Sequence, residues 1–206
     1  MADFLDQIIH YLEDHQSLAY AAIALAAFLE AIPVVGSFVP GSSLIVALSA
    51  LVAAGDLKLA GVLASAILGA AVGDGGAFLV GHHYQRAILA AWPLSLYPSL
   101  VSHSEEFFQK HGAVAIFLGR FVPPVRAFVP VTAGALGTSR TRFFAFNIPA
   151  VTMWACAHVL PGALAGTLWK EYGKKIEHIA LPALVVLIAI ALVWYLWRRR
   201  TVLPGS

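Results

Sequence analysis

The chain reads as an all-α membrane protein: an inverted repeat of two re-entrant hairpins set among transmembrane helices, with an amphipathic helix at its N-terminus. Three observations predict this class. Of the 206 residues, 60% are hydrophobic and only 12% charged, with a mean hydropathy of +0.81. A soluble domain is about one quarter charged, so these charges are too few to cover a soluble surface. Several stretches reach the roughly 20 apolar residues a helix needs to cross the hydrocarbon core. Two further apolar stretches are broken by prolines in matching positions.

The net charge of +2 and the scatter of basic residues, apart from Arg198-Arg199-Arg200, exclude a nucleic-acid partner. Cys156 is the only cysteine, which excludes an internal disulfide and a cysteine-based metal cage.

Residues 1–16 are expected to form the amphipathic surface helix. Phe4, Leu5, Ile8, Ile9 and Leu12 fall at helical spacing and Asp3 is placed as an N-cap. Asp3, Asp6, Glu13 and Asp14, with no Lys or Arg among them, are the reverse of a signal-peptide start. The membrane domain is expected over 17–200. Within it, Leu59–Gly81 spans with one charge, Asp74. Phe143–Trp169 spans with none, interrupted by Asn147, Pro149, His158 and Pro161. Ile179–Trp197 spans cleanly and ends in Trp194, Tyr195, Trp197 and three arginines, an aromatic belt followed by a cationic stop. Tyr84–His111 reads as surface helix and turn at headgroup level, and 201–206 as a tail, native or left by cloning.

The re-entrant hairpins are placed at about 28–54 and 112–137. The first holds Glu30 and is broken by Pro33, Gly36, Pro40 and Gly41; the second holds Arg120 and Arg126 and is broken by Pro123, Pro124, Pro130 and Gly134. Proline breaks a helix, and non-helical backbone survives at membrane depth only within protein or beside a water cavity. The two stretches align without a gap at an offset of 90 residues, with five identities in the eleven positions from Glu30 to Pro40 over Arg120 to Pro130. Chance matching in a biased composition is the plain alternative. A true inverted repeat with broken helices in corresponding positions points to a substrate site near the bilayer midplane. It sets an acid, Glu30, where the other half has a base, Arg120, and tip-to-tip packing would pair them.

Orientation follows from the Lys/Arg balance. With the C-terminus in the cytoplasm, seven basic residues (Arg86, Lys110, Arg140, Arg142 and Arg198 to Arg200) face inward against Lys58, Lys170, Lys174 and Lys175 outside. Both termini are then cytoplasmic.

A charge at the bilayer centre costs at least about 2.5–3.5 kcal/mol, so Glu30, Asp74, Arg120 and Arg126 must pair, line a cavity, or both. Each has a structural reading. Glu30 and Arg120 would lock two hairpins, Asp74 would cap a helix break or accept from Arg126, and Arg126 would snorkel to the interface. The functional reading is phosphate recognition, because the planar guanidinium donates two parallel hydrogen bonds and stays charged. Glu30 and Asp74 are the candidates for proton binding or gating.

Soluble-enzyme motifs are weak. Gly73-Asp74-Gly75-Gly76 is no phosphate loop, and the histidines make no metal spacing. Adjacent His82 and His83 point to different sides of a helix, and Ser42-Ser43 has no evident base partner. No metal, cofactor or enzymatic activity is expected.

Phe117-Leu118-Gly119-Arg120-Phe121-Val122-Pro123-Pro124-Val125-Arg126, continuing through Pro130, Ala133-Gly134, Phe143, Asn147 and Trp154, resembles the signature of the DedA family, the bacterial branch of the SNARE-associated (VTT) membrane proteins. Phe28-Leu29-Glu30 through Pro40-Gly41-Ser42-Ser43-Leu44, and Gly73-Asp74 through Gly81-His82, resemble two further family blocks. The resemblance covers most of Ala26 to Gly166. It implies facing re-entrant hairpins and a multi-pass protein of the bacterial inner membrane. It also implies lipid movement across the bilayer: recycling of undecaprenyl phosphate, or flipping and scrambling of phospholipids. A proton-motive-force connection and a fused or partner lipid phosphatase are further family traits. By position, the family's essential acid falls on Glu30 and its arginines on Arg120 and Arg126, with Ser42, Pro40, Gly41, Pro123, Pro130, Asn147 and Trp154 in support. Two positions depart from the pattern: Ser42 stands where the family often has a second acid, and His82 where it often has Arg.

The leading expectation is therefore a flippase- or scramblase-like translocase for undecaprenyl phosphate or a phospholipid, its headgroup held between the hairpin tips. The alternative is a proton-coupled transporter of small cations or drugs using Glu30 and Asp74, which two buried arginines disfavour by like-charge repulsion. A non-transporting scaffold or an intramembrane enzyme would need a nucleophile–base pair that the sequence does not display. The oligomeric state is left open.

Overall fold

The structure, a computed structural model, describes residues 16–91, 93–122 and 125–201, with side chains through Tyr172 other than that of Ser37. The expected amphipathic helix with its Asp3 cap, the residues Pro123 and Pro124, and the tail beyond Thr201 lie outside the described residues, as do the side chains of the C-terminal aromatic belt and its arginines. The described residues are helical, with no strand among them. They divide into one compact unit up to Gly166 and a second from Thr167, helical as far as Thr201.

In the first unit α1 (Gln16–Ala31) leads into a break, the single turn α2 (Val35–Phe38), then α3 (Gly41–Ser49) and α4 (Leu51–Ala54). The break begins where Pro33 ends regular i→i−4 bonding, and Val34 takes a left-handed φ of 69°. That conformation is an outlier for a β-branched residue. It is accommodated because Val34 packs against a buried cluster that includes Leu89, Phe128 and Val131. Pro40, which donates no backbone hydrogen bond, ends the break as the N-cap of α3.

The long helix α5 (Leu59–Tyr84) follows, with the Tyr20 hydroxyl accepting from the backbone N–H of its N-cap, Lys58, at 2.8 Å. One side of α5 packs on α1, burying Val62, Ala66 and Ala70 with Ala19, Ile23 and Ala27. Its other side carries Leu68 and Val72, 62% and 61% exposed, an apolar face suited to lipid. The segment expected at headgroup level is α6 (Arg86–Leu89), a 3-10 turn at Leu94–Leu96 and α7 (Pro98–His111), with Pro98 in the first turn as helix starts favour.

The second interrupted stretch is α8 (Val114–Gly119), turns at 120–122 and 125–128, and α9 (Val129–Ala135). Pro130 sits in the first turn of α9, where its missing N–H costs nothing. α9 crosses the end of α5 at glycines: a Cβ on Gly134 would lie 2.2 Å from the Phe78 carbonyl oxygen, and one on Gly81 2.1 Å from that of Val131. The two broken stretches are not buried alike. Phe128 is 1% exposed, whereas Phe38, its counterpart in the sequence repeat, is 72% exposed.

The last helix, α10 (Arg140–Thr201), differs from expectation. Pro149 and Pro161 do not interrupt it, and residues 170–178, expected to connect two spans, are helical. A proline inside a helix costs about 3 kcal/mol, and burial of Val151, Trp154, Ala155 and Val159 in the core formed with α1, α3 and α5 offsets that cost. By length and composition Leu59–Tyr84 and Arg140–Tyr172 are able to cross a membrane, and Gln16–Ala31 and Gly41–Ala54 are shorter apolar helices.

Candidate functional site

The four lipid-depth charges meet at one place. Glu30 lies in the last turn of α1, Asp74 in the middle of α5, Arg120 at the C-cap of α8 and Arg126 in the turns that follow. With Ala31 and Trp154 of α10 they line a cavity of about 10 Å³, room for roughly one water.

The pairing is the exchange of the one expected. Glu30 pairs with Arg126, not Arg120, and Arg120 pairs with Asp74. Arg126 does not snorkel away; its side chain is 25% exposed and turned onto Glu30. The tip-to-tip expectation treated the hairpins as the only partners. In the fold, α5 places Asp74 beside Arg120, while Arg126, six residues further, reaches back to the junction of α1 and α3. Both acids come from α1 and α5, and both arginines from α8 and the turns after it. Each pair therefore joins these two parts of the chain, and the formal charge of the four groups sums to zero.

Each acid is held by its surroundings. Ser42 donates its hydroxyl to Glu30 Oε1 at 2.5 Å, so Ser42 does meet a carboxylate, contrary to expectation. Glu30 Oε2 lies against the first residue of α3, where a Cβ on Gly41 would approach it to 2.5 Å. Only glycine lets the carboxylate this close to a helix N-terminus, where the positive end of the helix dipole favours an anion. Asn147, 1% exposed, brings its amide near Asp74 without meeting hydrogen-bond geometry.

Trp154, expected as a supporting residue, has a contact that the sequence reading did not foresee. Its ring lies under the Arg120 guanidinium, with Cζ 4.7 Å from the ring centroid. A tryptophan in mid-span, away from the interfacial belt that this residue favours, was the available signal. Three buried polar atoms here have no partner: Arg120 Nε, Glu30 Oε2 and Asn147 Nδ2. Gly41 and Ser42 are thus brought to Glu30, with Pro40 as the N-cap just before them, and Asn147 and Trp154 to the Asp74–Arg120 pair. Pro130 is buried in α9, away from the four charges. Among the described residues no group of three His, Cys, Asp or Glu side chains could hold a metal.

The chain matches the VTT domain over residues 39–164. It is 29% identical over 194 residues to the inner membrane protein YabI of Escherichia coli K12, covering 92% of this chain and 76% of that protein. It is 30% identical over 152 residues to the protein DedA of the same organism, covering 72% and 69%. It is 22% identical over 204 residues to undecaprenyl phosphate transporter A of Bacillus subtilis 168, covering 98% of each. No solved structure matches.

Proposed function

The chain belongs to the VTT-domain family that includes DedA, and from that premise we propose that this membrane protein moves a phosphate-bearing lipid across the bilayer. The observation that carries the reading is the site: two arginines, each tied to a buried carboxylate, around one small cavity between helices apolar enough for a bilayer. A lipid phosphate competes with Glu30 for the Arg126 guanidinium, exchanging one anionic partner for another, and takes a donor edge of Arg120 that Asp74 leaves open. Lipid tails stay in the hydrocarbon beside exposed apolar residues such as Leu68 and Val72.

Undecaprenyl phosphate or a phospholipid fits this chemistry, and the full-length relative named for undecaprenyl phosphate transport supports the first. We read the broken stretches as re-entrant hairpins facing one another in a bacterial inner membrane, with both termini cytoplasmic. The proton motive force and a partner lipid phosphatase belong to the same reading. A small cation would find both carboxylates occupied by arginine, which argues against cation transport.

The test is flipping in reconstituted vesicles of stated lipid composition. Arg126→Lys and Arg120→Lys keep charge but lose the bidentate fork, and each is expected to cut translocation of polyprenyl phosphate or phospholipid strongly while expression stays near normal. Wild-type translocation by both variants would remove the arginines from headgroup recognition.

A further inference from the structure

The phosphate reading makes Arg120 a ligand group, and on that basis we infer that Trp154 is its positioning residue, holding the guanidinium so that its Nε–H edge faces the headgroup phosphate. A guanidinium rotates freely about its long stem unless something fixes both its plane and its angle within that plane. Here the two constraints come from different helices. The indole of Trp154, on α10, fixes the plane by stacking 4.7 Å from Cζ. Asp74, on α5, fixes the in-plane angle by accepting from Nη1.

Of the guanidinium nitrogens, Nε is the one that is buried and without a partner. Trp154 and Arg120 both line the cavity. A buried donor with no acceptor is destabilising, so this edge is held unsatisfied where an oxyanion can claim it. The phosphate docks on Nε while the Asp74 pair stays closed, so Asp74 orients Arg120 instead of leaving it. Arg126 lacks this support: its side chain is 25% exposed, against 9% for Arg120. Trp154 is itself rigid, 2% exposed and packed among Ala26, Ala27, Val151 and Ala155.

The experiment uses the purified full chain in detergent, with dodecyl phosphate as probe and dodecanol as control. Thermal stabilisation gives affinity, and the Nε–H resonances of the arginines, assigned by Arg→Lys variants, give geometry. In the wild type the Arg120 Nε–H signal should lie upfield from the indole ring current and move downfield when dodecyl phosphate binds. Trp154→Leu should weaken dodecyl phosphate binding about tenfold and remove the upfield shift, whereas Trp154→Phe, which keeps a stacking face, should stay within about threefold of wild type. A Trp154→Leu protein that binds as tightly as wild type overturns the inference. So does a wild-type response to dodecyl phosphate confined to Arg126, a result that stands even if Trp154→Leu does not fold. If dodecyl phosphate fails to stabilise the wild type, the phosphate reading itself falls, and the ring-current shift alone then decides whether Trp154 orients Arg120.

Discussion

Removing one charge at a time from the four-charge cluster tests the exchanged pairing. Breaking a buried ion pair by deleting one partner costs about 3–5 kcal/mol, because the other charge is stranded. Asp74→Asn strands Arg120, whose side chain is 9% exposed, so the full range applies. Glu30→Gln strands Arg126, which is 25% exposed and able to turn toward water; about 2 kcal/mol is expected there, nearer the cost of an unpaired polar group. Arg126→Gln should cost more than Glu30→Gln, since it strands Glu30, 4% exposed. Deleting both partners should recover much of each loss. The assay is thermal unfolding in detergent of the singles and of all four acid–arginine doubles. Coupling energies should exceed about 1 kcal/mol for Glu30 with Arg126 and for Asp74 with Arg120, and be smaller for the crossed pairs. A Glu30–Arg120 coupling larger than the Glu30–Arg126 coupling would refute the geometry and restore the tip-to-tip pairing.

Three further outcomes are expected. Gly41→Ala places a Cβ 2.5 Å from Glu30 Oε2 and should cost about 1–3 kcal/mol by overpacking; the loss should shrink in a Glu30→Ala background, and additive losses in the melting temperature would count against the contact. Gly134→Val should destabilise more than Gly112→Ala, since Gly134 abuts the Phe78 carbonyl whereas Gly112, at φ 57°, has open space around it; circular-dichroism melts check the order. On a Cys156→Ala background, a cysteine at position 138 should react with an impermeant maleimide from the cytoplasmic face, and labelling from the outer face alone would overturn the proposed topology.

Much of this site was legible because burial of charge in lipid is so costly that few ionisable residues survive there. Glu30, Asp74, Arg120 and Arg126 stand out from an apolar background on that ground alone, and the proline pattern marked where α1 and α8 end. Partner choice was not legible. It depends on where α5 packs against α1 and α9, a tertiary fact set by close approaches such as Gly81 on Val131 rather than by any local pattern. The same holds for α10. Proline propensity argued for interruptions at Pro149 and Pro161, and burial of the Trp154 face outweighed it. Ser42 looked unpartnered because its acceptor lies twelve residues back across the break.

The exchanged pairing changes what opening the site requires. Because Glu30 and Asp74 come from α1 and α5 and Arg120 and Arg126 from α8 and the turns after it, these two halves of the site cannot separate without breaking both pairs. Each half would then carry two like charges at lipid depth, at about 2.5–3.5 kcal/mol per charge even on insertion scales. A structural lock gains nothing from such an arrangement, since a well-packed apolar contact of similar volume is often as stabilising as a buried ion pair. A transporter does gain, because an arriving phosphate neutralises the arginine half and lowers the cost of parting. On the proposed function, the neutral sum of the four charges keeps the site closed until substrate arrives. It also makes the crossed-pair couplings informative about mechanism: four mutually coupled charges would open together, whereas two independent pairs would allow Glu30–Arg126, the more exposed of the two, to open first.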